Sequence, residues 1–127
     1  MKKENLINQQ NDIISNETII FYDSNKFSST GEQFCGLIMG DHSKSGINTM
    51  FNTGTVVGVS ANVYGAGFPR NFIASFTWGG PQGTMEYKLD KALDTAHRMM
   101  QRRGLAVDEV ENEILQAVYE QTTDFRR

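Results

Sequence analysis

The chain has little of several things, and each shortage narrows the reading. Of 127 residues only Cys35 is a cysteine, so neither an internal disulfide nor a cysteine-based metal cluster is available. A lone thiol points by default to a reducing compartment, and the expected location is the cytoplasm. No apolar run approaches the roughly 18 residues of a membrane span. Nor does an apolar stretch follow Met1-Lys2-Lys3, which argues against a secretory signal. Lys and Arg number 12 against 15 Asp and Glu, a net charge of −3. Binding to nucleic-acid phosphates needs a clustered basic surface, so neither nucleic acid nor membrane is expected as a partner. There are two histidines, His42 and His97, which leaves few candidates for a general base. The hydrophobic fraction of 39% is ordinary for one globular domain.

What is present divides the chain into three. Residues 1–17 form a polar leader rich in Asn and Gln. Residues 18–83 read as a repeat-built β domain: 18–38 look like two short strands, and 39–80 are rich in Gly, Thr, Val, Asn and aromatics without helical period. Residues 84–127 are charged and helical. In this tail Leu89, Ala92, Leu93, Ala96, Met99 and Met100 keep the spacing of one helical face. Arg98, Arg102 and Arg103 crowd its last turn, Gly104 is a stop signal, and Asp108 is an N-cap. Val110, Ile114, Ala117, Val118 and Gln121 mark the face of a second helix. Acidic residues dominate that helix and no basic face appears, which argues against a DNA-recognition role.

The middle section repeats in sixes. Met39, Ser45, Phe51, Val57 and Val63 are followed by Gly40, Gly46, Asn52, Gly58 and Tyr64, with Ser43, Thr49, Thr55, Ala61 and Gly67 at the fifth place. Ser45 fits its position poorly. A strand of about four residues that turns in two has this period, and alternation then sends Leu37 and Met39, Thr55 and Val57, and Ala61 and Val63 inward. Gly and Asn suit the corners because they tolerate positive φ. Three sixes close one triangular turn, and successive turns stack at about 4.8 Å. The other architecture open to these residues is an antiparallel β-sandwich with Gly-rich turns.

The run Met39-Gly40-Asp41-His42-Ser43-Lys44-Ser45-Gly46-Ile47-Asn48-Thr49, with Asn52-Thr53-Gly54-Thr55-Val56-Val57-Gly58, resembles the hexapeptide-repeat domain of sugar-phosphate nucleotidyltransferases. These are proteins related to the bifunctional N-acetylglucosamine-1-phosphate uridyltransferase and glucosamine-1-phosphate acetyltransferase. The segments Gly65 to Ile73, Ser75 to Gly80 and Tyr87 to Ala92 also look like their closing part. The resemblance covers about residues 18–127. It implies a mainly β fold, a short left-handed parallel β-helix followed by a helical hairpin, and a homotrimer or a nucleotidyltransferase domain as partner. The function it implies is that of the C-terminal part of such a transferase in sugar-nucleotide metabolism, with a sugar phosphate or an acyl-CoA such as acetyl-CoA as ligand.

Two departures leave catalysis open. No Gly-rich phosphate loop with its Arg and Lys is present, and Gly65-Ala66-Gly67 is too short to be one. The family's catalytic histidine lies upstream of the matched region; His42 falls where relatives carry Asn or Asp, so as a base it competes with an exposed corner residue. A non-catalytic oligomerisation or regulatory module is the alternative. By resemblance, Tyr22-Asp23-Ser24-Asn25-Lys26-Phe27 is similar to the loop that contacts sugar and acyl donor, which makes Tyr22 and Lys26 substrate-binding candidates. Phe21 stands where that loop carries Asn, and a plain hairpin turn explains the segment equally. Asn48 projects near the same cleft, and Gly46 and Gly65 leave room for a thin ligand such as a pantetheine arm, or they are corner geometry alone. Arg70 either clamps a phosphate bidentately or caps its loop. Cys35 reads as a small core residue and His97 as structural.

Overall fold

The computed structural model describes residues 20–23, 26–29, 31 and 35–126, with side chains for 31 and 35–126. The polar leader lies outside the described residues.

Strands β1 (Ile20–Asp23) and β2 (Lys26–Ser29) pair antiparallel as a hairpin. From Leu37 the chain makes three successive passes. Strands β3 (Leu37–Met39), β5 (Thr55–Val57) and β7 (Phe72–Ile73) form one parallel sheet in that order. Strands β4 (Lys44–Ser45), β6 (Asn62–Val63) and β8 (Thr77–Gly80) form a second, closed by the antiparallel β9 (Gly83–Glu86). Helices α1 (Leu89–Arg102) and α2 (Glu109–Gln121) follow, then a 3-10 turn at Thr123–Phe125.

The corners carry the sixfold rhythm. Gly36, His42, Asn48, Gly54 and Ser60 have φ of 72°, 61°, 63°, 81° and 54°. The residues after His42, Asn48 and Gly54 close four-residue turns, with Ser43, Thr49 and Thr55 amides donating to the carbonyls of Gly40, Gly46 and Asn52 at 3.4, 3.4 and 3.2 Å. A positive φ at the third residue of such a turn is the type II geometry. Passes stack through these corners: the Ser60 amide donates to Asp41 O at 2.9 Å and the Phe76 amide to Val59 O at 2.8 Å. The hydroxyl of Ser43 accepts from the Ala61 amide at 2.9 Å, and that of Ser75 from the Val59 amide at 2.8 Å. Glycine is required beside them, because a Cβ on Gly40 would lie 2.8 Å from Gly58 C.

The expected mainly β, left-handed parallel β-helix is corrected by three features. First, the two helices hold 14 and 13 residues, about as many as the nine described strands together. Second, the return length is uneven: Leu37 pairs with Thr55, but Val56 pairs with Phe72 and Asn62 with Trp78. Third, the second sheet is mixed, since β9 runs antiparallel to β8, and the β1–β2 hairpin is antiparallel. The physical reason lies in the third side of each pass. Residues 46–54 and 64–71 form turns and irregular chain instead of strands. Pro69 has no amide to donate, and Gly65 and Gly67, at φ of 117° and 100°, leave the extended region.

Burial follows the stacking. Thr55, Val57, Ala61 and Val63 of the middle pass are at most 2% exposed, and with Ile73 and Phe51 they build the inner core. Their equivalents in the first pass, Leu37 and Met39, are exposed because β3 is an edge with no pass described above it. Phe76, Tyr87 and Ala92 form a second core that joins the third pass to the helices, with Val59, Trp78, Leu89, Val118 and Tyr119 packed on it.

The helix ends follow from sequence chemistry. Asp108 Oδ1 accepts from the Glu111 amide at 2.8 Å, a side-chain N-cap. Gly104, at φ of 70°, donates to Gln101 O at 3.0 Å and ends the first helix. The face of α2 that packs inward is Leu115, Val118 and Tyr119; Val110, Ile114, Ala117 and Gln121 face outward. No helix among the described residues is long and apolar enough to cross a membrane.

Candidate functional site

The middle pass buries its apolar strand faces between its neighbours, and an open cleft forms where the stack ends. That place is the far end of the third pass. Pro69 and Asn71 are buried and Arg70 between them is exposed, an alternation that turns the guanidinium outward. Asn71 is fixed by its carbonyl, which accepts from the Val56 amide at 2.7 Å. Beside Arg70 opens a cleft of about 520 Å³, lined among others by Phe68, Phe72, Thr77, Thr84 and Phe125. Gly79 and Gly83 sit in the β8–β9 hairpin that forms one wall, and the space a Gly79 side chain would need is filled by Gly83 O. Thr77 and Thr84 also line an adjoining cavity of about 280 Å³ with Glu86 and Arg126.

The charges in this region are unequal. Arg126, its side chain 4% exposed, donates to Glu86 Oε1 at 3.1 Å, to Thr122 Oγ1 at 2.8 Å and to Tyr119 O at 2.8 Å. Tyr119 donates its hydroxyl to the same Glu86 oxygen at 2.9 Å. That hydrogen bond, then burial, raises the Tyr119 pKa above its ordinary value. Arg126 and Glu86 are thus consumed by each other. Arg70 has no hydrogen-bond or ion-pair partner among the described residues. Among the described residues the lining of the larger cleft combines the Arg70 guanidinium with apolar and aromatic side chains and threonine hydroxyls, a set that suits an anion with an apolar or aromatic body.

The other sequence candidates lie elsewhere. His42 is at the first-pass corner with its side chain 7% exposed; its Nε2 lies 2.9 Å from Glu111 Oε1 of α2. Its Nδ1 is buried with no partner among the described residues, as is the Ser60 hydroxyl one pass below. Helix α2 covers this imidazole through the Glu111 contact. Lys44 donates to His42 O at 3.0 Å, and partial burial lowers its pKa. Asn48 is exposed at its own corner. Gly46 backs onto Tyr64, whose Cβ would stand 3.2 Å from an added Cβ, and Gly65 backs onto the Gln82 carboxamide. Gln82 donates to Ala66 O at 2.6 Å, so protein fills the room beside Gly65. The backbone of Tyr22 and Lys26 lies in the β1–β2 hairpin, where Tyr22 pairs with Phe27 and Asp23 with Lys26; their side chains lie outside the description. Cys35 is half-buried and its amide donates to Thr53 Oγ1 at 2.9 Å. His97 Nε2 meets Asn112 Oδ1 at 3.3 Å between the helices. The described lining of the cleft includes Arg70 and none of the other candidates.

Sequence reasoning missed Thr77, Thr84, Phe125 and Glu111. Only Glu111 carried a signal: Asp108-x-x-Glu111 has capping-box spacing, and the carboxylate turns to His42 instead of back to the cap amide. Among the described residues no group of three His, Cys, Asp or Glu is placed to hold a metal ion. The chain matches no protein-family model, no curated protein and no solved structure.

Proposed function

We propose that the chain is a binding domain for a small anionic ligand of the sugar-phosphate or acyl-CoA class, acting within a sugar-nucleotide-handling transferase and not performing the transfer itself. The observation that carries this is Arg70, a cation without protein partner among the described residues, on the wall of a cleft large enough for a sugar phosphate. Aromatic residues and threonine hydroxyls beside it suit the rest of such a molecule. The burial of His42 against α2, and a cleft lining without His, Cys, Asp or Glu among the described residues, favour binding over catalysis.

Calorimetric titration with glucosamine 1-phosphate, UDP-N-acetylglucosamine and acetyl-CoA tests the reading. Heat is expected with at least one of the three, and Arg70→Ala should weaken that binding roughly tenfold or more, the loss of one charge-assisted contact. Silence with all three, or an affinity indifferent to Arg70→Ala, overturns it.

A further inference from the structure

The β8–β9 hairpin carries polar side chains where the two cavities meet. Thr77 pairs with Glu86, and Gly79 with Thr84. Paired residues share a face of a hairpin, as do residues two apart, so Thr77, Thr84 and Glu86 stand together. Thr77 and Thr84 line both cavities, and Glu86 lines the smaller.

Only one oxygen of the Glu86 carboxylate is occupied. Tyr119 and Arg126 both donate to Oε1, at 2.9 and 3.1 Å, and Oε2 accepts no hydrogen bond among the described residues. The side chain is 43% exposed. Arg126 balances its charge, and the rest of that guanidinium is occupied by Thr122, Tyr119 and Thr123. The hydroxyls of Thr77 and Thr84 have no hydrogen-bond partner among the described residues. The smaller cavity, of about 280 Å³, therefore offers a carboxylate oxygen that accepts and two hydroxyls that both donate and accept.

We propose that Glu86, with Thr77 and Thr84, forms a hydroxyl-binding subsite that receives the polyhydroxylated body of a ligand whose phosphate lies on Arg70. Glu86 is then the residue that selects a sugar phosphate over an acyl-CoA. This rests on the reading of the Arg70 cleft as an anion site. A carboxylate accepts charge-assisted hydrogen bonds from hydroxyls, and such bonds are stronger than those between neutral groups. An acyl chain laid in the same place covers Oε2 without giving it a donor, which costs the carboxylate its water. The two charges also set the direction of binding: phosphate is drawn to Arg70 and repelled by Glu86.

Calorimetric titration of the full chain with glucose 1-phosphate, inorganic phosphate and acetyl-CoA tests the proposal. Glucose 1-phosphate should bind roughly tenfold tighter than either of the others. Glu86→Gln should weaken glucose 1-phosphate roughly fivefold or more but not inorganic phosphate, because it removes a negative charge from the phosphate's surroundings. A general loss of structure would weaken both. Thr84 is exposed, so Thr84→Val probes the subsite without disturbing the Glu86–Arg126 pair, and it too should weaken the sugar phosphate alone. Equal affinity for the hydroxylated and the bare phosphate, tighter binding of acetyl-CoA, or a sugar-phosphate affinity indifferent to both variants overturns this inference. Those results leave the Arg70 reading standing if Arg70→Ala still abolishes phosphate binding. Absence of heat with all three probes overturns both.

Discussion

His42 Nε2 and Glu111 Oε1, 69 residues apart in sequence, stand 2.9 Å apart and fasten the first pass of the chain to α2. The imidazole is buried and its Nδ1 already lacks a partner among the described residues. Removing Glu111 leaves both ring nitrogens unsatisfied. Glu111→Ala is expected to cost about 1–3 kcal/mol in urea denaturation, and Glu111→Gln less, since the amide oxygen still accepts. With His42→Gly in the background the Glu111→Ala cost should shrink. Strict additivity in that double-mutant cycle would show that the contact contributes nothing.

Close approach at the stacked corners leads to a second expectation. A Cβ on Gly58 would stand 2.5 Å from the Ser75 amide and against its hydroxyl. Backbone cannot swing aside as a flexible side chain can, so Gly58→Ala should cost about 3 kcal/mol, and Gly40→Ala a similar amount. Gly104→Ala is the comparison: it meets open space and bears only its φ of 70°, for about 1 kcal/mol. Equal melting temperatures for Gly58→Ala and Gly104→Ala would refute this account of the stacking.

At Asn48 the side chain is exposed and the backbone is left-handed, at φ of 63°. Substitution there isolates the conformational cost. Asn48→Val should destabilise by about 1–2 kcal/mol, while Asn48→Gly should be neutral or slightly stabilising. Thermal denaturation of the pair decides it, and a tolerated valine would mean that the corner does not hold this φ in solution.

Tyr119 sets an alkaline limit. Its phenol is held neutral by donating to Glu86, so its folded pKa lies above the ordinary 10.0. The stabilisation is complete below the unfolded value and is lost as pH rises through the raised folded value. Lys44 acts with the opposite sign: burial lowers its pKa, so the cost of its charge is relieved as pH climbs through that lowered value. Phenolate absorbance should show one tyrosine titrating late, and Glu86→Gln should bring it earlier. If Tyr119→Phe leaves the late component in place, the assignment is wrong.

Much of the local geometry was legible in the residues, because corners and caps are decided within a few positions. The six-residue rhythm marks where the chain enters left-handed φ, and Asp108 and Gly104 mark helix ends by chemistry of their own. What failed was whatever depends on the rest of the molecule. Leu37 and Met39 alternate as Thr55 and Val57 do, yet they are exposed, since alternation says nothing of whether another pass lies above. Val110, Ile114 and Ala117 have helical spacing, yet the core takes the neighbouring stripe. Periodicity identifies an apolar face and cannot say which of two faces finds a partner. The cleft drew Arg70, Thr77, Thr84 and Phe125 from separate segments, and no local pattern connects them.

Helix α2 reaches from His42 in the first pass to Phe76 in the third, where Tyr119 meets the phenylalanine edge to face at 5.1 Å. Layered chains held only by their neighbours peel from whichever end is weaker. Here the weaker end is tied to the stronger by a splint that spans all the layers. Melting should therefore be a single event, and backbone amides of β3 and β4 should exchange with solvent at the pace set by detachment of α2.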